Sequence, residues 1–293
     1  MPWLINPSQL DKFRKNQKNV IILDATCHSP GKDNTKAHEE YLGQHIAGAR
    51  FLDITDFCDR DSHFPNMLTR DANIIAEKLN ALGVTPENKI IFYDNSKLHT
   101  SCRALWMFKM FGHNPNLLYI LDGGLEVWQK YGGKVETGEQ RITPKTYTVN
   151  YQTQFIRTLS QMKANLHHPT EQVVDVRHPV RYAGGAESRP GLRPGHIPGS
   201  FSFPFTSLFE LDGRVKSLDK IRKQLSGIGI DLSVPIVSTC GSGTTAPILN
   251  FILDLLGLEN NAVYNGSWSE WGAEHLYPGE ESLDERPVIT SLE

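Results

Sequence analysis

The sequence lacks the features that mark several large classes of protein. Its four cysteines, Cys27, Cys58, Cys102 and Cys240, are too few for a disulfide framework and too widely spaced for the C-x-x-C elements of most cysteine zinc sites. No stretch approaches the roughly 18 apolar residues of a membrane span, and no cationic start precedes an apolar run. These absences predict a cytoplasmic protein with reduced cysteines, no structural metal and no membrane partner.

The chain also has no large excess of positive or negative charge. Thirty Lys and Arg against 33 Asp and Glu leave a net charge of −3, which argues against a broad basic face for nucleic acid. The content of 39% hydrophobic and 22% charged residues is ordinary for a globular protein. A length of 293 residues exceeds the usual size of one compact core, so we expect two domains.

Short apolar runs bounded by turn residues alternate with stretches of helical period. This pattern is typical of an α/β fold in which a mostly parallel sheet is flanked by helices. The predicted strands are Val20–Asp24, Lys89–Tyr93, Leu117–Leu121, Gln172–Val176, Val234–Thr239 and Ala262–Tyr264. The predicted helices include Asn73–Leu82, Ser101–Phe111, Leu125–Tyr131, Leu218–Ser226 and Ala246–Leu256.

The two halves of the chain resemble each other. His45-Ile-Ala-Gly48 matches His196-Ile-Pro-Gly199, and Ile21-Ile-Leu-Asp24 matches Gln172-Val-Val-Asp175, each at a separation of 151 residues. A period this long indicates a duplicated globular domain rather than a solenoid. We therefore predict tandem domains at residues 1–142 and 154–293. They differ at one telling position, because Cys240 of the second copy corresponds to Asp94 of the first.

The segment Cys240-Gly-Ser-Gly-Thr-Thr-Ala246 joins an apolar strand to an apolar helix. Its glycines, Gly241 and Gly243, allow backbone N–H groups to point inward, and the helix N-terminus adds unpaired N–H groups. Such a ring of donors favours a thiolate, so we expect Cys240 to be a nucleophile that can carry a persulfide. The predicted substrate-binding backbone is that of Gly241, Gly243, Thr244 and Thr245.

This loop has two other interpretations. Free cysteine is among the most buried residue types, so Cys240 could be inert packing at a strand end. Cysteine phosphatases have a similar loop, but they place an arginine six positions after the nucleophile, and that position here is Ala246. Without a bidentate guanidinium the loop lacks the main clamp for phosphate.

With these motifs in hand, the chain resembles the two-domain rhodanese family, and within it the 3-mercaptopyruvate sulfurtransferases. The resemblance rests on the Cys240 loop and on Val174-Asp-Val-Arg177, Pro194-Gly-His-Ile-Pro-Gly199, Leu121-Asp-Gly-Gly124 and Asn265-Gly-Ser-Trp268. Thiosulfate-preferring members usually carry an arginine and a lysine after the cysteine, whereas this sequence has Gly241 and Ser242. The resemblance therefore implies mercaptopyruvate as the sulfur donor.

The family implies roles for further residues. By resemblance, Arg181 and Arg189 bind the carboxylate and ketone oxygen of the donor, with Arg193 as an alternative to Arg189. Arg177 is expected to order the domain through Asp175 or another acid.

Proton transfer is the remaining task that the resemblance assigns. Ser242 is the expected catalytic relay for protons. Related enzymes complete a Ser/His/Asp arrangement from the first domain, but the matching positions here are Thr55 and Asn66. His63 is a candidate substitute for the missing histidine.

The activity implied is transfer of sulfur from a small-molecule donor through a Cys240 persulfide to a thiol or cyanide, with release of pyruvate. It requires no metal or organic cofactor, and the acceptor class includes thioredoxin-like proteins. The alternatives are a thiosulfate sulfurtransferase and a non-catalytic module that carries persulfide or senses oxidants.

Overall fold

The computed structural model describes residues 3–29, 31, 33–185, 187 and 189–291. The chain divides into two compact units. The first comprises Met1–Ser62, Leu68–Thr153 and Phe209–Lys216, and the second comprises His63–Met67, Gln154–Leu208 and Ser217–Glu293. Two short segments therefore belong by their contacts to a different unit from the chain that flanks them. The end points predicted for the two domains, 1–142 and 154–293, stay a prediction.

A parallel sheet forms the centre of the first unit. Its strands, with one separate antiparallel pair (β3 and β7), are β1 (Trp3–Ile5), β2 (Val20–Asp24), β3 (His45–Ile46), β4 (Ala49–Phe51), β5 (Lys89–Tyr93), β6 (Leu118–Leu121) and β7 (Val135–Glu136). The five parallel strands lie in the order β1-β6-β5-β2-β4. Apart from its first residue, each of the central strands β2 and β5 is wholly buried, as expected for parallel strands covered on both faces.

Helices cover both faces of this sheet. They are α1 (Pro7–Asn16), α2 (Thr35–Gly43), α3 (Ala72–Ala81), α4 (Thr100–Met110) and α5 (Gly124–Lys130). The start of α1 has a capping box, in which the Asn6 side chain accepts from the backbone while Gln9 bonds back, and Pro7 occupies the first turn. Every residue of α4 is buried.

The second unit repeats the same topology. Its strands are β8 (Ile156–Arg157), β9 (Gln172–Asp175), β10 (Phe201–Ser202), β11 (Ile236–Thr239) and β12 (Asn261–Tyr264). They are all parallel, in the order β10-β9-β11-β12-β8. Read from the opposite edge, this is the order of the first unit, so the duplication and the α/β class predicted from the sequence are confirmed.

The helices of the second unit are α6 (Leu159–His167), α7 (Pro179–Tyr182), α8 (Leu218–Gly227), α9 (Ala246–Leu255) and α10 (Ser267–Trp271). Nine of the ten residues of α9 are buried. Val237 of β11, Trp268 and Trp271 belong to one cluster of buried apolar side chains in this unit. None of the helices in the described part of the chain is long and apolar enough to cross a membrane.

The predicted elements differ from the observed ones mainly at their ends. The strand predicted from Val234 begins at Ile236, because Pro235 has no N–H to donate to a ladder. Leu117 belongs to a 3-10 turn before β6. The edge strands β1, β4, β8 and β10 have only two or three residues each, too few to produce a recognisable apolar run.

The tail after Tyr277 packs within the second unit through Arg286, which is fully buried. Its guanidinium donates to the backbone carbonyls of Glu270, Trp271, Ala273 and His275. Its Nε also lies 2.9 Å from Oε1 of Glu280, a nearly buried carboxylate that Lys163 contacts at 2.6 Å. A bridge between His196 and Ile289 pairs the tail with the rest of the unit.

Arg286→Ala is expected to lower the free energy of unfolding by about 3–5 kcal/mol, because it removes one partner of a buried ion pair and leaves four carbonyls short of a donor. Urea unfolding followed by tryptophan fluorescence measures the change. The exposed Arg222 provides a control, since Arg222→Ala should change stability by less than about 0.5 kcal/mol. A loss below about 1 kcal/mol for Arg286→Ala would contradict this role of the tail.

Candidate active site

Cys240 lies at the carboxyl end of β11, at the start of the loop that leads into α9. Gly243 takes the left-handed conformation (φ 79°), which explains the glycine there, and Pro247 occupies the first turn of α9. The cysteine is only 1% exposed, so it is less open than the sequence predicts for a nucleophile at the floor of this loop. Its neighbours Gly241 and Ser242 are half-buried.

Ser267 contacts Cys240 from the start of α10. Its hydroxyl lies 3.8 Å from the Cys240 sulfur, accepts from the Cys240 amide at 3.2 Å and donates to the Tyr264 carbonyl at 2.8 Å. Ser267 has a positive φ of 51°, like Gly124 at the matching position of the first unit (58°). A non-glycine residue in this conformation costs about 1 kcal/mol or more. This backbone strain occurs at Ser267, the residue whose side chain contacts the Cys240 thiol.

The loop of the first unit shows which groups surround this position. The carboxylate of Asp94, which replaces the thiol, accepts from the backbone amides of Ser96 and Ser101, each at 2.9 Å. This loop therefore holds an anion with backbone amides. In the second unit Ser242 matches Ser96, whereas Ser101 is replaced by Pro247, which has no N–H.

Two arginines from one segment lie beside the loop. A Cβ added at Gly241 would lie 3.4 Å from Arg181 Nη2 and 3.5 Å from Arg189 Nη2. Arg189 Nη1 also donates to the Gly241 carbonyl at 3.1 Å and to the Ser269 hydroxyl at 2.7 Å. Arg189 Nη2 is buried without a hydrogen-bond partner among the described residues. The structure thus brings Arg181, Arg189 and Gly241 together.

Glu187 holds both arginines in place. One carboxylate oxygen lies 2.6 Å from Arg181 Nη2, and the other lies 3.2 Å from Arg189 Nε. Burial raises the pKa of Glu187, but hydrogen bonds from the two arginines outweigh it, so the pKa lies below its ordinary value. Glu187 was not among the residues predicted for the site. An acid between two arginines, six positions after one and two before the other, was the available signal.

Arg177 has the structural role expected from the sequence. Its side chain is almost fully buried, pairs with Asp175 at 2.7 Å, donates to the Gly195 carbonyl and lies 4.3 Å from the Trp268 ring centre. Arg193 binds the backbone carbonyls of Trp271 and Arg286. The contacts of Arg193 are therefore with backbone of the second unit, and they do not favour it over Arg189 as a donor ligand.

Asn66 contacts Ser242, the contact that the sequence predicted for His63. Asn66 is buried, and its Nδ2 donates to the Ser242 hydroxyl at 2.9 Å and to the Thr244 hydroxyl at 3.1 Å. His63 is exposed, and the described contacts do not join it to Ser242. Thr55 donates to Asp53 within the first unit. The segment His63–Met67 thus contacts the Cys240 loop through the side-chain amide of Asn66 rather than through an imidazole.

Thr245 precedes α9 as its N-cap residue, without a side-chain cap bond. Its carbonyl accepts from Ile248 at 3.1 Å, so its observed role is in starting the helix. Ligand binding by the backbone of Gly241, Gly243, Thr244 and Thr245 stays a prediction.

Comparison with known families decides the assignment of the fold. The family model described as "Rhodanese-like domain" matches residues 6–131 and 158–274, which together make up most of the chain. This chain belongs to the rhodanese-like family. The resemblance drawn from the Cys240 loop and its companion motifs is thereby confirmed.

Several rhodanese-like relatives match nearly the whole chain. The 3-mercaptopyruvate sulfurtransferase of Escherichia coli (strain K12) is 35% identical over 262 residues, which are 89% of this chain and 92% of the relative. The thiosulfate sulfurtransferase of Cricetulus griseus is 35% identical over 255 residues, covering 85% and 84% respectively. The structure of the 3-mercaptopyruvate sulfurtransferase SseA from Escherichia coli superposes with a TM-score of 0.81 at 32% identity, covering 92% of this chain and 100% of that one.

Proposed function

We propose that this chain is a sulfurtransferase that moves sulfur from 3-mercaptopyruvate, through a persulfide on Cys240, to a thiol or to cyanide. The observation that carries the proposal is the placement of Arg181 and Arg189 against Gly241, one residue from the thiol. In this proposal the two guanidiniums bind the carboxylate of a small donor whose sulfur contacts Cys240.

The chemistry has two half-reactions. In the first, the Cys240 thiolate attacks the sulfur of mercaptopyruvate, the carbon–sulfur bond breaks, and its electron pair leaves with carbon as the enolate of pyruvate. The proton of the substrate thiol passes to the enolate carbon, which gives pyruvate. In the second, an acceptor thiolate or cyanide attacks the outer sulfur, and Cys240 regains its thiolate.

The charges beside the loop suit a carboxylate donor. Arg177, Arg181 and Arg189 carry three positive charges, while Asp175 and Glu187 carry two negative ones, so the group is net cationic. Arg189 Nη2 has no partner among the residues described and is available to a donor oxygen. Preorganised donors of this kind stabilise the carboxylate and the developing enolate without reorganising.

Gly241 supports the choice of mercaptopyruvate over thiosulfate. A side chain at this position would meet both guanidiniums at van der Waals distance, so a third cation there would be repelled. The loop itself therefore has no cation beside the thiol, unlike the loops of thiosulfate-preferring members. Because one of the relatives is a thiosulfate sulfurtransferase, sulfur transfer from thiosulfate is the second candidate function.

Ser242 is the proposed proton relay, and Asn66 is the proposed positioning residue. The Asn66 amide donates to the Ser242 oxygen, so the hydroxyl hydrogen of Ser242 can be donated to the Thr244 hydroxyl, 3.4 Å away, or to the substrate. A histidine or aspartate is not required for this orientation. His63 as a relay stays a prediction without support from a contact.

Asn66→Ala is expected to lower kcat about 10- to 100-fold, because the Ser242 hydroxyl loses the donor that orients it. KM should change less than about threefold, since the Asn66 amide donates to the hydroxyls of Ser242 and Thr244, whereas the proposed ligands of the donor carboxylate are Arg181 and Arg189. Steady-state kinetics with mercaptopyruvate measure both. The exposed Asn73 offers a matched control, Asn73→Ala, with unchanged rates. Unchanged kcat in Asn66→Ala would remove Asn66 from the mechanism.

Mass spectrometry tests the proposal as a whole. Incubation with mercaptopyruvate should add one sulfur atom to the peptide that contains Cys240, and cyanide should remove it. The ratio of kcat/KM for mercaptopyruvate to that for thiosulfate decides the donor, and a ratio below one would favour the second candidate. Sulfur loading without further turnovers would favour the non-catalytic carrier. A thioredoxin-like acceptor and a cytoplasmic location stay predictions.

A further inference from the structure

A polar cavity of about 230 Å³ lies in the first unit. It is lined by the acids Asp24 and Glu40, by the amides Gln44, Asn95 and Gln129, and by apolar atoms that include Leu125. All the lining residues belong to the first unit, so the cavity is distinct from the loop that carries Cys240. Nothing in the sulfur-transfer chemistry above uses it.

Asp24 is the buried acid of this cavity, with an exposure of 2%. Its carboxylate accepts from the amide of Thr26 at 3.0 Å and also from the Thr26 and Tyr93 hydroxyls, all of which are neutral donors. Burial, together with the charge of Asp94, raises the pKa of Asp24 to about 6 although these hydrogen bonds lower it. A buried carboxylate is ordinarily paired with a cation, and the described contacts supply none here.

The second unit shows what pairs with the corresponding carboxylate. Asp175 matches Asp24, and it accepts from the amide two residues on, that of Arg177, at 2.9 Å. In that unit the residue two positions on also brings a guanidinium, whose Nε lies 2.8 Å from Asp175 and whose Nη2 donates to the Gly195 carbonyl. In the first unit the same position is Thr26. The hydrogen bond from the backbone amide to the aspartate is therefore present in both units, whereas the guanidinium is absent from the first.

A second substitution enlarges the space. The Trp268 ring on which Arg177 stacks is replaced in the first unit by Leu125. The two positions are equivalent in the structure as well as in sequence, because the Trp268 amide donates to the Cys240 carbonyl at 3.0 Å and the Leu125 amide donates to the Asp94 carbonyl at 3.2 Å. Two large side chains, Arg177 and Trp268, are therefore replaced by the smaller Thr26 and Leu125 near Asp24.

We propose that this cavity is a binding site for a small guanidinium compound, whose planar cation takes the place that the Arg177 side chain fills in the second unit. The guanidinium would pair with Asp24, as Arg177 pairs with Asp175. Gln44 lines the cavity at the position of Gly195, whose carbonyl accepts a hydrogen bond from Nη2 of Arg177. The planar fork of a guanidinium can donate two parallel hydrogen bonds to one carboxylate, a geometry that an ammonium does not offer.

Other acids of the cavity do not favour a metal ion. Glu40 is already paired with His28 at 2.8 Å, which leaves Asp24 as the carboxylate that needs a cation. The remaining polar groups of the lining, Gln44, Asn95 and Gln129, are amides whose carbonyl oxygens accept hydrogen bonds. Among the described residues, no group of three His, Cys, Asp or Glu side chains could hold a metal.

Methylguanidinium chloride is the probe for the test, with tetramethylammonium chloride and sodium chloride at the same ionic strength as controls. Calorimetric titration of the full chain at pH 8, where Asp24 is ionised, should show saturable binding of methylguanidinium with a Kd of about 0.1–10 mM. The two control salts should show no saturable heat. Absence of saturable methylguanidinium binding by the native chain would overturn the proposal.

Two variants locate the site. Asp24→Asn removes the charge while keeping an acceptor for Thr26, and it should weaken binding at least tenfold. Thr26→Arg places a guanidinium inside the cavity, as in the second unit, and should abolish binding while raising the melting temperature. Both variants should keep the far-ultraviolet circular dichroism and the sulfur-transfer rate of the native chain. Native affinity in Thr26→Arg would contradict the assignment even if Asp24→Asn failed to fold.

Discussion

Replacement of Cys240 by serine is expected to lower sulfur transfer from mercaptopyruvate about 10⁴-fold or more, to the rate of the uncatalysed reaction. A serine hydroxyl cannot form a persulfide, so the sulfur would have no covalent carrier and both half-reactions would fail. The fold should persist, because serine is close in size to cysteine and the hydroxyl of Ser267 lies 3.8 Å from the position of the sulfur. The measurement is pyruvate release, with mass spectrometry of the loaded protein.

Cys58→Ser is the matched control for the loss of a thiol. Cys58 is half-buried in the first unit, and its removal should leave both the transfer rate and the sulfur loading unchanged. Retained activity in Cys240→Ser would show that another group carries the sulfur. Added sulfur on the peptide of Cys58, in place of that of Cys240, would lead to the same conclusion.

Arg181→Ala and Arg189→Ala are each expected to raise the KM for mercaptopyruvate about 10- to 100-fold, since a hydrogen bond to a charged group contributes about 1.5–3 kcal/mol. The effect should be larger for Arg189, whose Nη2 is buried and has no partner among the described residues. Loss of either arginine also leaves Glu187 less compensated, which adds repulsion toward a carboxylate donor. The two substitutions share one acid, so their effects should not add.

Lysine variants separate charge from geometry at these positions. Arg189→Lys keeps a cation but loses the planar fork, so its KM should lie between that of the native chain and that of Arg189→Ala. The exposed Arg222 is again the control, with Arg222→Ala leaving KM unchanged. An unaltered KM in both alanine variants would show that the donor carboxylate binds elsewhere.

Much of the fold followed from the sequence because its signals are local. The central strands are mainly apolar runs of four or five residues between turn signals. A strand of that kind can be recognised from its own residues, without knowledge of the strands that pair with it. The duplication could be predicted because two copies of one chain segment repeat their turn residues at a constant separation. The edge strands were missed, since two or three residues carry no periodicity and pair only because a sheet is present beside them.

The residues of the candidate site also differ in how well the sequence predicted them. Cys240 and its glycines are adjacent in the chain, so the loop and its chemistry were open to prediction from the sequence alone. Glu187 lies close in the chain to the two arginines that it contacts, so its spacing was an available signal. Ser267 and Asn66 were not assigned their contacts, because each reaches the loop from a distant part of the chain. Such contacts depend on packing between elements and leave no pattern in the spacing of residues.

The amino-acid sequence by itself determined that the chain has two α/β copies and that one copy has a thiol where the other has an acid. Only the tertiary structure decided which side chains meet that thiol, which acid orients the two arginines, and that Asp24 lacks the cation that Asp175 has. The physical reason is that strand, turn and helix propensities act over a few residues. Hydrogen bonds, ion pairs and cavities arise where segments far apart in the chain are packed together.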